Sequence, residues 1–166
     1  MLIQYQDVFR SLHSHGVRYL VIKGVAAVTH GVPRATFDLD LIITPDADNV
    51  SRLLDGLPDA GLGTAALTHA EQVQRHEITV FRDRIRVDVQ TSAPGLSFED
   101  AWPRRRMVAL GDTVVNVVSR EDLIAAKRAS GRPVDLQDVE LLRPAEPCPL
   151  ARGFRPTAWH RRQRAS

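Results

Sequence analysis

The segment from Phe37 to Ile43 constrains the fold most, because it places two aspartates at alternate positions of an otherwise apolar run, Phe37-Asp38-Leu39-Asp40-Leu41-Ile42-Ile43. Successive side chains of a β-strand point to opposite faces, so Asp38 and Asp40 share one face, with Cα atoms about 6.5 to 7 Å apart. Two like charges on a buried strand repel each other. The pattern therefore predicts a sheet with a compensating cation at one face.

The rest of the patterning predicts an α/β (α+β) fold, a mixed β-sheet flanked by helices with two further helices at its C-terminal end. Predicted strands cover 17–22, 37–43, 78–81, 85–89, 107–110 and 113–118. Predicted helices cover about 4–16, 24–30, 46–58, 97–102, 119–130 and 134–142. Ser119 is the expected N-cap of the first C-terminal helix, and Gly131 is expected to close it. Residues 61–75 are weakly patterned, and no internal repeat is visible.

The length of 166 residues fits one domain, which we place at residues 1–142. Residues 143–166 hold six arginines against one acid and several prolines, and predict a flexible basic tail. Such a tail could also contact nucleic acid or an acidic partner. The single cysteine, Cys148, cannot form an internal disulfide. No apolar run approaches the ~20 residues of a membrane span and no signal-peptide pattern is present, so we expect no membrane and a cytoplasmic location.

Asp88 repeats the pattern, because it is the lone acid in the strand Ile85-Arg86-Val87-Asp88-Val89. Three carboxylates on neighbouring strands suit Mg²⁺, which prefers hard oxygen ligands, whereas the absence of nearby His and Cys argues against zinc. Asp38, Asp40 and Asp88 are therefore the predicted metal ligands. The alternative is that Asp38 and Asp40 are only polar residues of a strand edge or turn.

The longer segment 24–40, Gly24-Val25-Ala26-Ala27-Val28-Thr29-His30-Gly31-Val32-Pro33-Arg34-Ala35-Thr36-Phe37-Asp38-Leu39-Asp40, resembles the signature of the DNA polymerase beta superfamily of nucleotidyltransferases. In that family a glycine pair after the first strand opens a helix, an arginine and a threonine precede the two acids, and a third acid follows on a later strand. The resemblance implies the nucleotidyltransferase fold, and transfer of an NMP from an NTP to a hydroxyl with Mg²⁺, as two ions, or Mn²⁺.

A second segment, Ser119 to Asp138, contains Lys127 followed by Asp135 and Asp138. It resembles the lysine-then-aspartates motif of the nucleotidyltransferase toxins of type IV toxin-antitoxin systems and their minimal relatives. This resemblance implies a toxin-antitoxin component with an antitoxin partner. Lys23 and Lys127 are the only lysines beside 20 arginines, and both fall inside the two segments.

The resemblances imply roles for single residues. Catalysis is expected from Asp38, Asp40, Asp88 and Lys127. Nucleotide binding is expected from the set Lys23, Gly24, Arg34, Thr36, Lys127 and Asp138. Gly24 would let backbone N–H groups approach a phosphate, while Arg34 and Lys127 would neutralise its charge. Lys127 could instead be a solvated surface lysine, and Asp135 and Asp138 could be cap or salt-bridge acids.

The chain departs from the family at Lys23, because relatives carry two glycines or glycine-serine where this chain has Lys23-Gly24. The lysine could crowd the β- and γ-phosphates, or its ammonium could replace lost backbone contacts. Two functions therefore stay open. One is an active transferase acting on a tRNA 3′ end, a protein side chain or a small molecule. The other is a catalytically idle nucleotide- or protein-binding member of the same fold.

Overall fold

The computed structural model describes residues 2–143, and these form a six-stranded mixed sheet in the order β3-β4-β2-β1-β6-β5. The strands are β1 (Tyr19–Val21), β2 (Asp38–Ile43), β3 (Ile78–Arg82), β4 (Arg86–Gln90), β5 (Arg106–Leu110) and β6 (Thr113–Val117). The β1–β6 and β2–β4 pairs are parallel, and the other three pairs are antiparallel. The central strands β1 and β2 are almost wholly buried, as their Leu, Ile and Val content predicts.

Helices cover the sheet: α1 (Gln6–Ser14), α2 (Lys23–Thr29), α3 (Ala47–Asp59), α4 (Ala70–Arg75), α5 (Phe98–Ala101), α6 (Arg120–Ser130) and α7 (Pro133–Leu142). Short 3-10 turns occupy Leu2–Tyr5, Gly63–Leu67 and Trp102–Arg104. Helix α1 buries Val8, Phe9 and Leu12, which recur at helical spacing, and it packs against α3 and β6. Helices α6 and α7 pack against each other after the last strand.

The predicted class, a mixed α/β sheet flanked by helices with two C-terminal helices, is confirmed. Ser119 caps α6 by accepting a hydrogen bond from the Asp122 N–H at 3.1 Å, and Gly131 ends it in the left-handed conformation. The main omission is α4 in the weakly patterned region. It is six residues long and buries only Val73, so it offers no apolar stripe for a periodicity argument.

None of the helices within residues 2–143 has both the length and the apolar character needed to cross a bilayer. Residues 144–166, which include Cys148 and all of the predicted basic tail except Arg143, lie outside the described residues.

Candidate functional site

The three predicted acids lie on one face of two neighbouring strands. In the parallel pairing of β2 with β4, Asp40 is the register partner of Asp88, and Asp38 is the register partner of Arg86. Register partners on adjacent strands project to the same side of a sheet. Asp40 and Asp88 are 8% and 7% exposed, whereas 46% of the Asp38 side chain is exposed. The two inner acids are therefore covered, and Asp38 lies at the rim.

Lys23 supplies the counter-charge for Asp40. Its Nζ donates to Asp40 Oδ1 at 2.8 Å, and Gln90 Nε2 donates to the same oxygen at 3.3 Å. Burial raises the pKa of Asp40, the Lys23 ammonium lowers it, and the Asp88 and Asp38 charges raise it again, with a net upward shift. Lys23 thus compensates the charge of Asp40 here, and the predicted Mg²⁺ stays a prediction.

Asp88 is held by the guanidinium of Arg86, two residues earlier on the same strand. Nε donates to Oδ1 at 2.7 Å and the second terminal nitrogen donates to Oδ2 at 2.9 Å, which is the two-point geometry that arginine and carboxylate favour. The other terminal nitrogen lies 3.9 Å from Asp38 Oδ2. One arginine therefore links Asp88 to Asp38.

The carboxylates suit a hard cation by chemical type and by their shared face, but they are not gathered around one point. Within residues 2–143, no group of three or more His, Cys, Asp or Glu side chains is arranged to hold a metal ion. Oxygens that could bind Mg²⁺ accept hydrogen bonds from Lys23 and Arg86 instead. A metal at Asp40 or Asp88 would therefore compete with these two side chains for carboxylate oxygens.

Gly24, Arg34 and Thr36 meet at the start of α2. A Cβ on Gly24 would lie 2.5 Å from Thr36 Oγ1 and 3.7 Å from an Arg34 terminal nitrogen, so only glycine fits against this loop. The preceding residue, Lys23, has φ = 54°, the left-handed region that glycine adopts readily. The backbone thus has a glycine-like conformation where the resembled family has glycine.

Lys127 is buried in a network of charged groups, with 3% of its side chain exposed. Its Nζ donates to Asp135 Oδ1 at 2.8 Å and to Asp138 Oδ2 at 2.7 Å. Arg34 also donates to Asp138 Oδ2, at 2.7 Å, and so connects α7 to the loop before β2. The alternative of a solvated surface lysine is wrong, because the packing of α6 on α7 encloses this side chain.

Asp135 is the most strongly shifted acid of the network. Burial alone would raise its pKa, but hydrogen bonds from Arg132, Lys127 and Ser130 outweigh burial and lower the pKa to about 2. The acid therefore stays ionised and keeps the Lys127 ammonium in place. Both Asp135 and Asp138 act as salt-bridge acids here, which was one of the two roles considered for them.

Two cavities lie near the acids and are lined by their hydrogen-bonding partners, although neither Asp40 nor Asp88 lines either cavity. The larger, of about 560 Å³, opens between the ends of β1 and β4 and helix α6, and both Lys23 and Lys127 line it with Arg132. Its apolar lining includes Ile22, Ile78, Leu96, Val118 and Leu123. The smaller, of about 350 Å³, is lined by Asp38 and Arg86 at the opposite side of the acids. Lys23 and Gln90, which donate to Asp40, thus line the larger cavity, and Asp38 and Arg86 line the smaller one.

The structure adds Arg86, Gln90 and Arg132 to the site, and sequence patterning did not identify them. Each lies near a predicted acid, but arginine and glutamine are common on strand ends and turns, and no spacing rule distinguishes these three. His30, by contrast, is not a ligand candidate: its Nε2 lies 2.8 Å from the Val118 carbonyl oxygen. Arg104 pairs with Asp122 at 2.7 Å and joins a turn to α6.

Comparison with known proteins gives a structural likeness and no match in sequence. No protein-family model matches the chain, and no curated protein matches it. Among solved structures, the chain is similar to an antigenic nucleotidyltransferase-like protein from Paracoccidioides brasiliensis. The identity is 17%, the TM-score is 0.48, and the match covers 85% of this chain and 73% of that chain. A likeness at this level carries no argument about activity.

Proposed function

We propose that this chain is a metal-dependent nucleotidyltransferase that moves an NMP from an NTP to a hydroxyl acceptor. The observation that carries the proposal is the pair of register-partnered acids, Asp40 and Asp88, whose hydrogen-bonding partners Lys23 and Arg86 line two separate cavities. A transferase of this kind needs two substrates to meet at a group of carboxylates. One cavity for the donor and one for the acceptor, each lined by a side chain that contacts one of these acids, would meet that need.

The larger cavity suits the donor NTP. It combines an apolar lining with three cations, Lys23, Lys127 and Arg132, and two acids, Glu77 and Asp135, so it offers contacts for a base or sugar and cationic groups for the phosphates. An ammonium group has three N–H donors, and Lys127 uses two of them on Asp135 and Asp138. The third donor is what we assign to a phosphate oxygen.

The carboxylates have the chemistry of a Mg²⁺ or Mn²⁺ site. Asp38, Asp40 and Asp88 would hold the metal, as one ion or two, and the metal would supply Lewis-acid stabilisation of the attacking and leaving oxygens. The chain's own part is to present the acids on one rigid pair of strands and to neutralise them with Lys23 and Arg86 when no metal is bound. Charge neutralised in this way lowers the cost of burying Asp40 and Asp88.

The test is transfer of label from each α-³²P-labelled NTP into pooled RNA, protein or small-molecule acceptors, with Mg²⁺ or Mn²⁺. Asp38→Asn removes a metal ligand at the exposed rim, so it should reduce transfer at least about 100-fold while leaving the melting temperature near that of the wild type. Asp55→Asn, an exposed acid on α3, is the matched control. Full transfer by Asp38→Asn would contradict the catalytic assignment.

One observation favours a second candidate, a catalytically idle nucleotide-binding member of the fold. Lys23 Nζ donates a hydrogen bond to Asp40 Oδ1 at 2.8 Å and thus competes with any metal for that oxygen. Calorimetry with each NTP and Mg²⁺ separates the two functions. Tight binding without pyrophosphate release across all acceptor pools would favour the idle protein.

A toxin-antitoxin role is a narrower proposal that rests on the Lys127, Asp135 and Asp138 segment. In such a system the chain would arrest growth when produced alone, and a partner protein would relieve the arrest. A neighbouring small gene whose product restores growth is the observation that would support it. Growth unaffected by production of the active chain would count against it.

A further inference from the structure

The two lysines of the chain are held in different ways. Lys127 has 3% of its side chain exposed and is bonded to two acids, Asp135 and Asp138. Lys23 has 32% of its side chain exposed, and among residues 2–143 its ammonium forms a salt bridge only with Asp40. A salt bridge is weaker when solvent reaches it. Lys23 is therefore the lysine whose contact a ligand can replace.

The backbone at Lys23 is fixed on both sides. Ile22 donates its N–H to the Asp40 carbonyl oxygen at 3.0 Å. Gly24 lies so close to Thr36 that a Cβ on the glycine would come within 2.5 Å of Thr36 Oγ1. The lysine side chain, in contrast, is a flexible four-carbon stem, and exposed side chains change rotamer in picoseconds to nanoseconds. A change of partner at Lys23 thus needs only side-chain rotation and no movement of α2.

Lys23 lines the larger cavity, in which we place the NTP. Asp40 does not line that cavity, so a triphosphate there would contact the ammonium rather than the acid. A triphosphate carries several negative charges, and phosphate oxygens form strong hydrogen bonds with ammonium groups. The triphosphate would therefore compete with the single carboxylate of Asp40 for the Lys23 ammonium.

Asp40 keeps one hydrogen bond when the lysine leaves. Gln90 Nε2 donates to the same Asp40 oxygen at 3.3 Å, and Gln90 is 3% exposed. The amide of glutamine is neutral, so it can orient the carboxylate but cannot neutralise it. A buried carboxylate without a counter-charge is costly. Departure of Lys23 would therefore raise the affinity of Asp40 for another cation.

We infer that Lys23 is a switch that makes metal binding at Asp40 depend on the NTP. Without NTP, the ammonium holds Asp40 and metal binding at this acid is weak. With NTP bound, the ammonium moves to a phosphate oxygen, and Asp40 becomes free to bind Mg²⁺. Each negative group keeps a cation throughout, because the metal replaces the lysine at Asp40 while the lysine neutralises part of the phosphate. The inference rests on the proposed function and specifies how its site is regulated.

The exchange is tested first without metal, by calorimetry with inorganic triphosphate. Asp40→Asn removes the carboxylate that holds the ammonium, so it should raise the affinity for triphosphate at least about tenfold when Lys23 is present. In a Lys23→Ala chain the same substitution should give an increase at least about threefold smaller, because only the general loss of negative charge remains. An increase of the same size with and without Lys23 would overturn the inference, and so would the absence of triphosphate binding.

The movement of the lysine is observed by NMR on the wild type. Because the chain has two lysines, protein labelled with [¹³C]lysine gives two Cε signals, and Lys23→Arg identifies the signal of Lys23. Saturation with inorganic triphosphate should shift the Lys23 signal. A Lys23 signal that stays in place at saturation would mean that the ammonium remains on Asp40, and would overturn the inference even if Asp40→Asn did not fold.

The dependence of metal binding on the NTP is measured by electron paramagnetic resonance of Mn²⁺. The nucleotides are the α,β-methylene analogues of ATP, GTP, CTP and UTP, which cannot release pyrophosphate. An analogue that binds should tighten Mn²⁺ binding to the wild type. In Lys23→Ala the tightening factor should be at least about tenfold smaller, because Asp40 is already free. Arg128→Ala, an exposed cation of α6 outside the cavity, is the control and should keep the wild-type factor. Equal factors in the wild type and Lys23→Ala would contradict the switch.

The outcomes separate this inference from the proposed function, because none of these measurements depends on catalysis. A Lys23 signal that responds to triphosphate in a chain that transfers no NMP would keep the switch and refute the transferase. Transfer of NMP by a chain whose Lys23 signal does not respond would keep the transferase and refute the switch.

Discussion

Lys23 adopts a backbone conformation that side chains other than glycine rarely adopt. Its φ of 54° costs an L-residue roughly 1 kcal/mol relative to glycine, yet the ammonium returns a contact with Asp40 at 2.8 Å. The strained backbone and the ion pair occur at one residue. The lysine therefore serves as a counter-charge for the acids at a position whose geometry favours a glycine.

Two substitutions separate the backbone effect from the charge effect. Lys23→Ala and Lys23→Gly both remove the ammonium, but only alanine keeps a Cβ at positive φ. We therefore expect Lys23→Gly to be more stable than Lys23→Ala by about 1 kcal/mol in urea unfolding. Equal stabilities would show that the left-handed conformation at this residue is absent in solution.

The same pair of variants tests whether Asp40 binds a metal ion. Loss of the ammonium frees Asp40 Oδ1, so both variants should bind Mn²⁺ more tightly than the wild type in calorimetry without nucleotide. Lys23→Arg keeps a positive charge at the position and is the control. Weaker Mn²⁺ binding by both neutral variants would argue against Asp40 as a ligand.

At the scale of elements, helices α6 and α7 are joined by charge as much as by apolar packing. Lys127 on α6 holds Asp135 and Asp138 on α7, and Arg34 extends the network to the loop before β2. Buried ions are costly unless they are fully paired, and here every member has a partner. The position of α7 therefore depends on the ionisation of its acids.

Asp135→Asn tests this dependence on pH. The pKa of Asp135 is lower in the folded chain, about 2 against the ordinary value of 3.8, so the carboxylate stabilises the fold fully above pH 3.8 and progressively less as the pH falls toward 2. At pH 7 we expect the substitution to cost about 2 kcal/mol of unfolding free energy.

The difference in unfolding free energy between Asp135→Asn and the wild type should be less than half as large at pH 2.5 as at pH 7, when both are measured by urea unfolding. The exposed Asp55→Asn is the control, and its effect should be small at either pH. A cost for Asp135→Asn that does not change with pH would mean that the ion pairs do not hold α7.

Sequence patterning predicted the elements best where apolar residues repeat. It predicted β2 and the shared face of Asp38 and Asp40, because the side chains of a strand alternate between its two faces. It also gave both caps of α6. It missed α4, whose start is fixed by a hydrogen bond from the His69 N–H to Gln72 Oε1 at 2.9 Å, since histidine is not a usual cap residue.

On the scale of the whole molecule, the site depends on contacts between distant parts of the chain. The larger cavity is closed by α6 and lined by Lys127, and its other wall comes from the ends of β1 and β4. Binding of an NTP there would link the sheet to the C-terminal helices. Ligand at 100 times its dissociation constant should then stabilise the fold by about 2.7 kcal/mol.

Lys127→Ala tests the phosphate contact. Loss of a charge-assisted hydrogen bond should weaken NTP binding with Mg²⁺ by about 1.5 to 3 kcal/mol at fixed salt. The substitution also leaves Asp135 and Asp138 without their shared partner, so it should destabilise the fold. It must therefore be compared with a variant that destabilises the fold without removing a charge. Val139→Ala on α7, where the side chain is 2% exposed, serves that purpose.

Val139→Ala should lower the unfolding free energy and leave the NTP dissociation constant close to that of the wild type. If it weakens NTP binding as much as Lys127→Ala does, the lysine acts through the packing of α7 and not through a phosphate.

The shared face of Asp38 and Asp40 could be predicted from their alternate positions in an apolar strand, but the partners of these acids could not. Lys23 meets Asp40 across 17 residues, and Arg34 meets Asp138 across 104 residues. Such contacts depend on where helices settle on the sheet, and local patterns carry no information about that placement. The same reason explains why Phe37 was predicted only as part of a buried strand, and not as an exposed ring.

The parallel pairing of β2 with β4 also determines when the acids can meet during folding. The β3–β4 hairpin can form from neighbouring residues alone, but Asp88 joins Asp40 only after the chain has closed a loop of 48 residues. The contact between Arg34 and Asp138 requires a still longer closure. On a ribosome, the contacts of the proposed site would therefore stay incomplete until residue 138 had left the exit tunnel. A nascent chain would complete the proposed site in one late step.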